Sequence, residues 1–161
     1  TVGEICARSK HVMTGYWRRP EETAEALRGG WLRTGDLAVV DADGYVQIVD
    51  RRKDLIVSGG ENIASPEVER ALAQHPAVRE VAVVGMPDER WGEVPAAFVS
   101  FHPGREATEA ELVEWVRGRL AHFKAPKRVV VLDALPTGGT GKVSKPALRA
   151  LLGVATSKWS T

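Results

Sequence analysis

Cysteine is nearly absent: Cys6 stands alone in 161 residues. An intrachain disulfide is thereby excluded, as is a cysteine-rich metal site, and a reducing cytoplasm is the default compartment. The four histidines, His11, His75, His102 and His122, show neither HxH nor HxxxH spacing, so no metal site is expected from them. An excess of one charge is also missing. With 22 Lys+Arg against 21 Asp+Glu the net charge is +1, which argues against a binder of nucleic acid or of an anionic membrane surface. No apolar run reaches the length of a transmembrane segment, and no signal-peptide pattern opens the chain. What is present, 27% charged and 43% hydrophobic residues, matches an ordinary soluble protein with room for one packed domain or a small domain plus an attachment. The chain starts Thr1-Val2-Gly3-Glu4 without methionine, and we expect it to be a piece of something longer.

The first fifty residues read as β-rich with one helix. Glu4 to Ala7 predicts a short strand. Pro20 followed by Glu21-Glu22-Thr23 predicts a helix with proline in its first turn and acids at the positive end of its dipole, stopped by Gly29-Gly30. Leu37–Val40 and Tyr45–Val49 flank Asp41-Ala42-Asp43-Gly44, a hairpin signal. Five charges in a row, Asp50-Arg51-Arg52-Lys53-Asp54, then interrupt the apolar pattern as a solvated turn or a linker between lobes. Beyond them we expect a strand at Leu55–Val57, a helix capped by Ser65 with Pro66 in its first turn, and paired strands at Val78–Gly85 and Val94–Phe101. Thr108-Glu109-Ala110-Glu111 is a capping box ahead of a helix with Leu112, Val113, Val116 and Leu120 on one face. A strand at Arg128–Leu132 and a terminal helix from Pro146 complete an α+β pattern.

Pro136-Thr137-Gly138-Gly139-Thr140-Gly141-Lys142 is a small-residue loop ending in a lysine, with nothing apolar to pin it, so a mobile backbone is expected. Read alone it is a surface turn with a solvated lysine. A P-loop would need Ser or Thr where Val143 stands. The chemical reading is a flexible point charge that reaches into a site and neutralises developing charge on phosphate or carboxylate oxygens.

Three segments in order, Thr34-Gly35-Asp36, the run DRRKDLIVSGGEN over 50–62 and the loop ending at Lys142, resemble the AMP-forming acyl-CoA synthetases. These belong with luciferases and the adenylation domains of nonribosomal peptide synthetases. Gly15-Tyr16-Trp17, Gly30-Trp31, Pro66-Glu67-Val68-Glu69, Trp91-Gly92-Glu93 and Lys124-Ala125-Pro126 fall in family order, so the resemblance runs from Gly3 to about Leu152. The 50–62 run is similar to the acyl-CoA synthetase branch. Peptide-synthetase domains read closer to GRxDxQVKxRG, and luciferases usually carry a second lysine where Val57 stands.

The resemblance implies a ligase using ATP and coenzyme A, with Mg2+ accompanying ATP. A carboxylic acid substrate is joined to AMP with loss of pyrophosphate, and CoA then displaces AMP to give a thioester. It implies a small C-terminal lobe, a short mixed or antiparallel sheet packed by helices, over 55–153, with a hinge at 51–54. Residues 1–50 would be the end of the N-terminal domain's β-barrel subdomain, and 154–161 a frayed tail. By residue, Asp36 and Arg51 match nucleotide-binding positions at the ribose, Lys53 the hinge, and Lys142 the catalytic lysine of adenylation. Gly59, Gly60 and Asn62 match the loop beside coenzyme A, with Glu61 a weaker candidate and a plain tight turn the other reading of the glycines. The lobe would alternate between two orientations, one inserting Lys142 and the other presenting the glycine loop. The family's phosphate loop, its acyl-pocket segment and most of its metal contacts have no counterpart in this sequence, so the chain alone is expected to be inactive and to need the remainder of the N-terminal domain as partner. Two alternatives stand beside this reading: an adenylation domain of a nonribosomal peptide synthetase, and a non-catalytic binding or regulatory module.

Overall fold

The strand and helix signals resolve, in the computed structural model, into two compact units that divide between Lys53 and Asp54. The structure describes residues 1–153, so the frayed tail expected over 154–161 lies outside the described residues.

The first unit is an antiparallel three-stranded sheet, β1 (Gly3–Ala7), β2 (Leu32–Val40) and β3 (Val46–Arg51), in that order. The hairpin forms because the Asp41 carboxylate accepts the backbone N–H groups of Asp43 and Tyr45 at 3.0 and 2.9 Å, while Gly44 supplies a φ of +88°. Helix α1 (Pro20–Ala26) opens on proline with Glu21 and Glu22 in its first turn, and Arg28–Gly30 closes it as a short 3-10 turn. Strand β2 is longer than expected. Asp36 therefore lies inside the strand rather than ahead of it. The unit has little core: Ala38 is its one buried apolar residue, whereas Val40, Val46 and Ile48 are exposed. A three-stranded sheet with so little apolar burial has little stability of its own.

The second unit holds the apolar clusters. Strands β6 (Val78–Asp88) and β7 (Gly92–Phe101) pair antiparallel along nearly their whole length. β8 (Arg128–Val131) runs parallel to β7, pairing at Ala96–Val99, and β4 (Ile56–Ser58) joins β7 antiparallel through Ser58 and Gly92. This is the mixed sheet expected, with one addition: Glu61–Ile63 forms a three-residue strand, β5, paired to β4. With only Ile63 buried in it, that strand is too short to show an alternation. Side-chain alternation sends Val83, Ala97 and Val99 to the face covered by α2 (Ser65–Ala73) and α3 (Glu109–Arg117), and Ala82, Val84, Ala96 and Phe98 to the face covered by α4 (Lys145–Leu151). Cover on both faces explains why β7 is a continuous apolar run.

Ser65 is not the cap of α2. Ala64 takes the extended cap position, and Ser65 lies buried in the first turn, accepting a hydrogen bond from Lys145 at 2.6 Å. The hydroxyl is engaged by the neighbouring helix. Leu120 also falls outside the helix assigned to it, since α3 ends at Arg117, yet it packs on the same core from the following turn.

The capping box at α3 forms in full. Thr108 Oγ1 accepts from Glu111 N–H at 3.2 Å and Glu111 Oε2 accepts from Thr108 N–H at 2.7 Å. The Thr108 N–H, and after it the Thr108 hydroxyl, hold the Glu111 carboxyl below its ordinary value of 4.5. A lowered folded-state value means that this contribution is complete above the ordinary value and fades as pH falls through the folded one. Thr108→Ala should cost about 1 kcal/mol near neutrality. In denaturant melts the gap between wild type and variant should narrow below pH 4.5; a gap independent of pH would show that the Thr108 hydroxyl carries no titrating contribution.

Candidate functional site

In the first unit the β2–β3 register sets Asp36 directly opposite Arg51, with Arg51 Nε 3.4 Å from Asp36 Oδ1. Asp36 is half-buried and Arg51 exposed, so a carboxylate and a guanidinium stand side by side at the end of the sheet, open to a ligand. The backbone around them is fixed. Thr34 Oγ1 accepts from Asp36 N–H at 3.1 Å and donates to the Ile5 carbonyl at 2.8 Å. Gly35, at φ +74°, adopts a left-handed conformation strained for any other residue. Its carbonyl accepts from Arg52 N–H at 2.7 Å, which ties the chain to the sheet up to the residue before Lys53. Lys53 itself is exposed at the boundary and Asp54 is buried on the far side of it. A carboxylate that accepts two donors, flanked by a guanidinium that gives them, is suited to a vicinal diol.

The second unit carries two further loops on separate elements. Gly59 and Gly60, at φ +57° and +87°, make the two-residue turn between β4 and β5, with Ser58 paired to Glu61 and Val57 to Asn62. Two positive φ values in succession are what a type I′ hairpin requires. Glu61 and Asn62 are exposed on the returning strand. The turn is a tight turn, as its alternative reading had it, and it is also anchored. Gly59 N–H donates to the Trp91 carbonyl at 2.8 Å, and a Cβ on Gly59 would lie 2.7 Å from Trp91 Cε3. Trp91 is held in turn by Asp88, whose carboxylate accepts the N–H groups of Arg90 and Trp91, each at 2.9 Å. The buried Glu93 adds a third tie, its Oε2 accepting from Val57 N–H at 3.2 Å where the β4–β7 ladder has a single pair. Sequence reasoning had Trp91 and Glu93 only as parts of a string; a glycine turn beside a tryptophan and a buried carboxylate is visible only once β4 and β7 are paired.

Lys142 ends the other loop, whose backbone closes on itself through hydrogen bonds. Gly138 N–H donates to the Lys142 carbonyl at 2.8 Å, Gly141 N–H to the Gly138 carbonyl at 2.9 Å, and Ser144 N–H to the Pro136 carbonyl at 2.8 Å. Thr137 and Val143 pair as an isolated bridge across its base. The glycines thus take part in a closed, hydrogen-bonded backbone turn. Among the described residues the Lys142 side chain is exposed and has no ion-pair partner. No three His, Cys, Asp or Glu among the described residues gather to hold a metal. No helix of the described residues is long and apolar enough to cross a membrane.

Comparison with known proteins gives this arrangement a family. Feruloyl-CoA synthase from Amycolatopsis sp is 52% identical over 151 residues, covering 94% of this chain and 31% of that enzyme. Among solved structures, o-succinylbenzoate CoA synthetase from Bacillus subtilis, in complex with its acyl-adenylate intermediate, superimposes with a TM-score of 0.84 at 40% identity, covering 92% of this chain and 30% of that one. An amide bond synthetase from Marinactinospora thermotolerans gives 0.83 at 41%, covering 94% and 31%. The chain therefore spans about a third of the length of the curated relatives it matches. Residues 67–142 match the AMP-binding enzyme C-terminal domain, and the chain belongs to the adenylate-forming enzymes, the superfamily of the AMP-forming acyl-CoA synthetases.

Proposed function

We propose that this chain is the C-terminal part of an ATP-dependent acyl- or aryl-CoA ligase. The observation that carries the reading is the separation of an exposed lysine, without an ion-pair partner among the described residues, on one closed loop from an anchored glycine hairpin on another element of the same lobe. In the adenylation step the substrate carboxylate attacks the α-phosphorus of ATP and pyrophosphate leaves. Charge builds on the bridging oxygens, and Lys142 would neutralise it. In the second step the thiol of CoA attacks the acyl carbonyl, and AMP departs with the bonding electrons. The Gly59-Gly60 turn, with no side chain to obstruct it, would border the path of the thiol arm. Asp36 and Arg51 would hold the ribose of ATP in both steps, and Lys53 would be the residue about which the lobe turns. Mg2+ would arrive with the nucleotide and neutralise its phosphates, held outside the residues seen here. The free, exposed Cys6 suits a reducing cytoplasm.

The test is made on the intact enzyme: ATP–pyrophosphate exchange against a panel of aromatic and aliphatic acids, followed by addition of CoA. The reading expects exchange with at least one acid and a thioester as product, and no exchange by the 161-residue chain alone. The amide bond synthetase among the structural neighbours favours one variation, an amine as acyl acceptor; an amide formed in place of a thioester would establish it. An intact enzyme without exchange on any acid would leave a non-catalytic module. Asp36→Asn should raise the KM for ATP about tenfold or more, the order expected for weakening a hydrogen bond to a charged group, with little change in the KM for the acid. Equal rises in both would place Asp36 outside the nucleotide site.

A further inference from the structure

Helix α4 begins three residues after Lys142, and one face of it is held at three points. Leu148 is fully buried against the sheet. Lys145 Nζ lies 2.9 Å from Glu69 Oε1 and 2.6 Å from Ser65 Oγ, both on α2. Arg149 Nη2 lies 2.7 Å from Asp54 Oδ1. Positions i, i+3 and i+4 share a helix face, so these anchors act together. The last contact spans 95 residues of sequence and joins α4 to the first residue of the second unit. Both partners are largely shielded, with side-chain exposures of 18% and 11%. An ion pair so shielded from water adds little stability over an apolar pair of the same shape. Its placement calls for another reason.

We propose that Arg149 and Asp54 are positioning residues for adenylation, a clamp that ties the residue following the boundary to the helix carrying the Lys142 loop. Lys142 and the boundary are thereby attached to opposite ends of one short rigid rod, and a rotation about Lys53 is delivered to the lysine without slack. The glycine hairpin does not depend on this rod. It has its own anchors in the Ser58–Gly92 pair, the Gly59–Trp91 hydrogen bond and the Glu93 carboxylate. Cutting the clamp should therefore displace Lys142 and spare the hairpin. The inference rests on the functional reading above and adds to it a mechanical link between the hinge and the lysine.

The experiment measures both half-reactions on the intact enzyme carrying Arg149→Gln, Asp54→Asn, both together, or the exchanged pair Asp54→Arg with Arg149→Asp. Lys142→Ala is the control, and each melting temperature is recorded. Each single variant should lower kcat for adenylation about tenfold to a hundredfold, the scale on which small misplacement acts, with the KM for the acid nearly unchanged and thioester formation from supplied acyl-adenylate within about twofold. The double variant should be no worse than the singles, and the exchanged pair should recover part of the loss. Should Arg149→Gln not fold, Asp54→Asn, which keeps the size of the side chain, carries the comparison. Normal adenylation in the single variants beside a crippled Lys142→Ala would overturn the clamp alone, as would parallel losses in both half-reactions. Normal adenylation in Lys142→Ala would overturn the functional reading and the clamp with it.

Discussion

Lys142→Ala in the intact enzyme should slow acyl-adenylate formation by about 10²–10³-fold, the effect of removing one preorganised charge contact to a transition state, while thioester formation from supplied acyl-adenylate stays near the wild-type rate. The size follows from the surroundings of the lysine. Its side chain is exposed and has no ion-pair partner among the described residues, so the fold should be little affected by its loss. The loop that presents it is closed by its own backbone hydrogen bonds, none of which involves the Lys142 side chain. The variant thus removes a charge without breaking an ion pair among the described residues. Lys142→Arg is the informative companion. The guanidinium keeps the charge but is a planar fork where a compact ammonium stood, so rescue should be partial at most.

The second large effect is at the hairpin and has the opposite signature. Gly59→Val should reduce thioester formation about 10²-fold, the cost of a misplacement on the ångström scale, and leave ATP–pyrophosphate exchange close to normal. Two independent obstacles meet at this residue. Its φ of +57° is unfavourable for any β-branched side chain, and the first atom of such a side chain would stand 2.7 Å from the Trp91 ring. Either the turn refolds or Trp91 moves, and each would shift the surface that the proposed function places beside the CoA thiol. Gly60→Ala separates the two causes. Gly60 shares the left-handed backbone, at φ +87°, but nothing lies within 4 Å of its missing Cβ. A loss at Gly60→Ala far smaller than at Gly59→Val would assign the larger effect to the tryptophan contact; equal losses would assign it to the backbone conformation.

Much of the fold could be read from the sequence, because the signals were local. The Asp41–Gly44 hairpin, the capping box at Thr108 and the proline at the start of α1 each act within a few residues of themselves. The failures came where distant chain segments decide. Ser65 is a strong N-cap type, but Lys145, eighty residues on, takes its hydroxyl. Strand β5 is too short to declare a period and exists because the Gly59-Gly60 turn lays it against β4. For the candidate site, residue types and order were legible, and the facing of Asp36 and Arg51 was not, since it depends on the register of β2 against β3. The Arg149–Asp54 contact was equally hidden. Neither residue is unusual in its local sequence, and only the docking of α4 brings them together.

The claim that one lobe serves two chemical steps through two different loops is tested most directly by measuring both half-reactions, by rapid quench, on Lys142→Ala and Gly59→Val side by side. The account predicts a crossed pattern: Lys142→Ala loses adenylation and keeps thioester formation, and Gly59→Val does the reverse. Parallel losses of both half-reactions in either variant would contradict it.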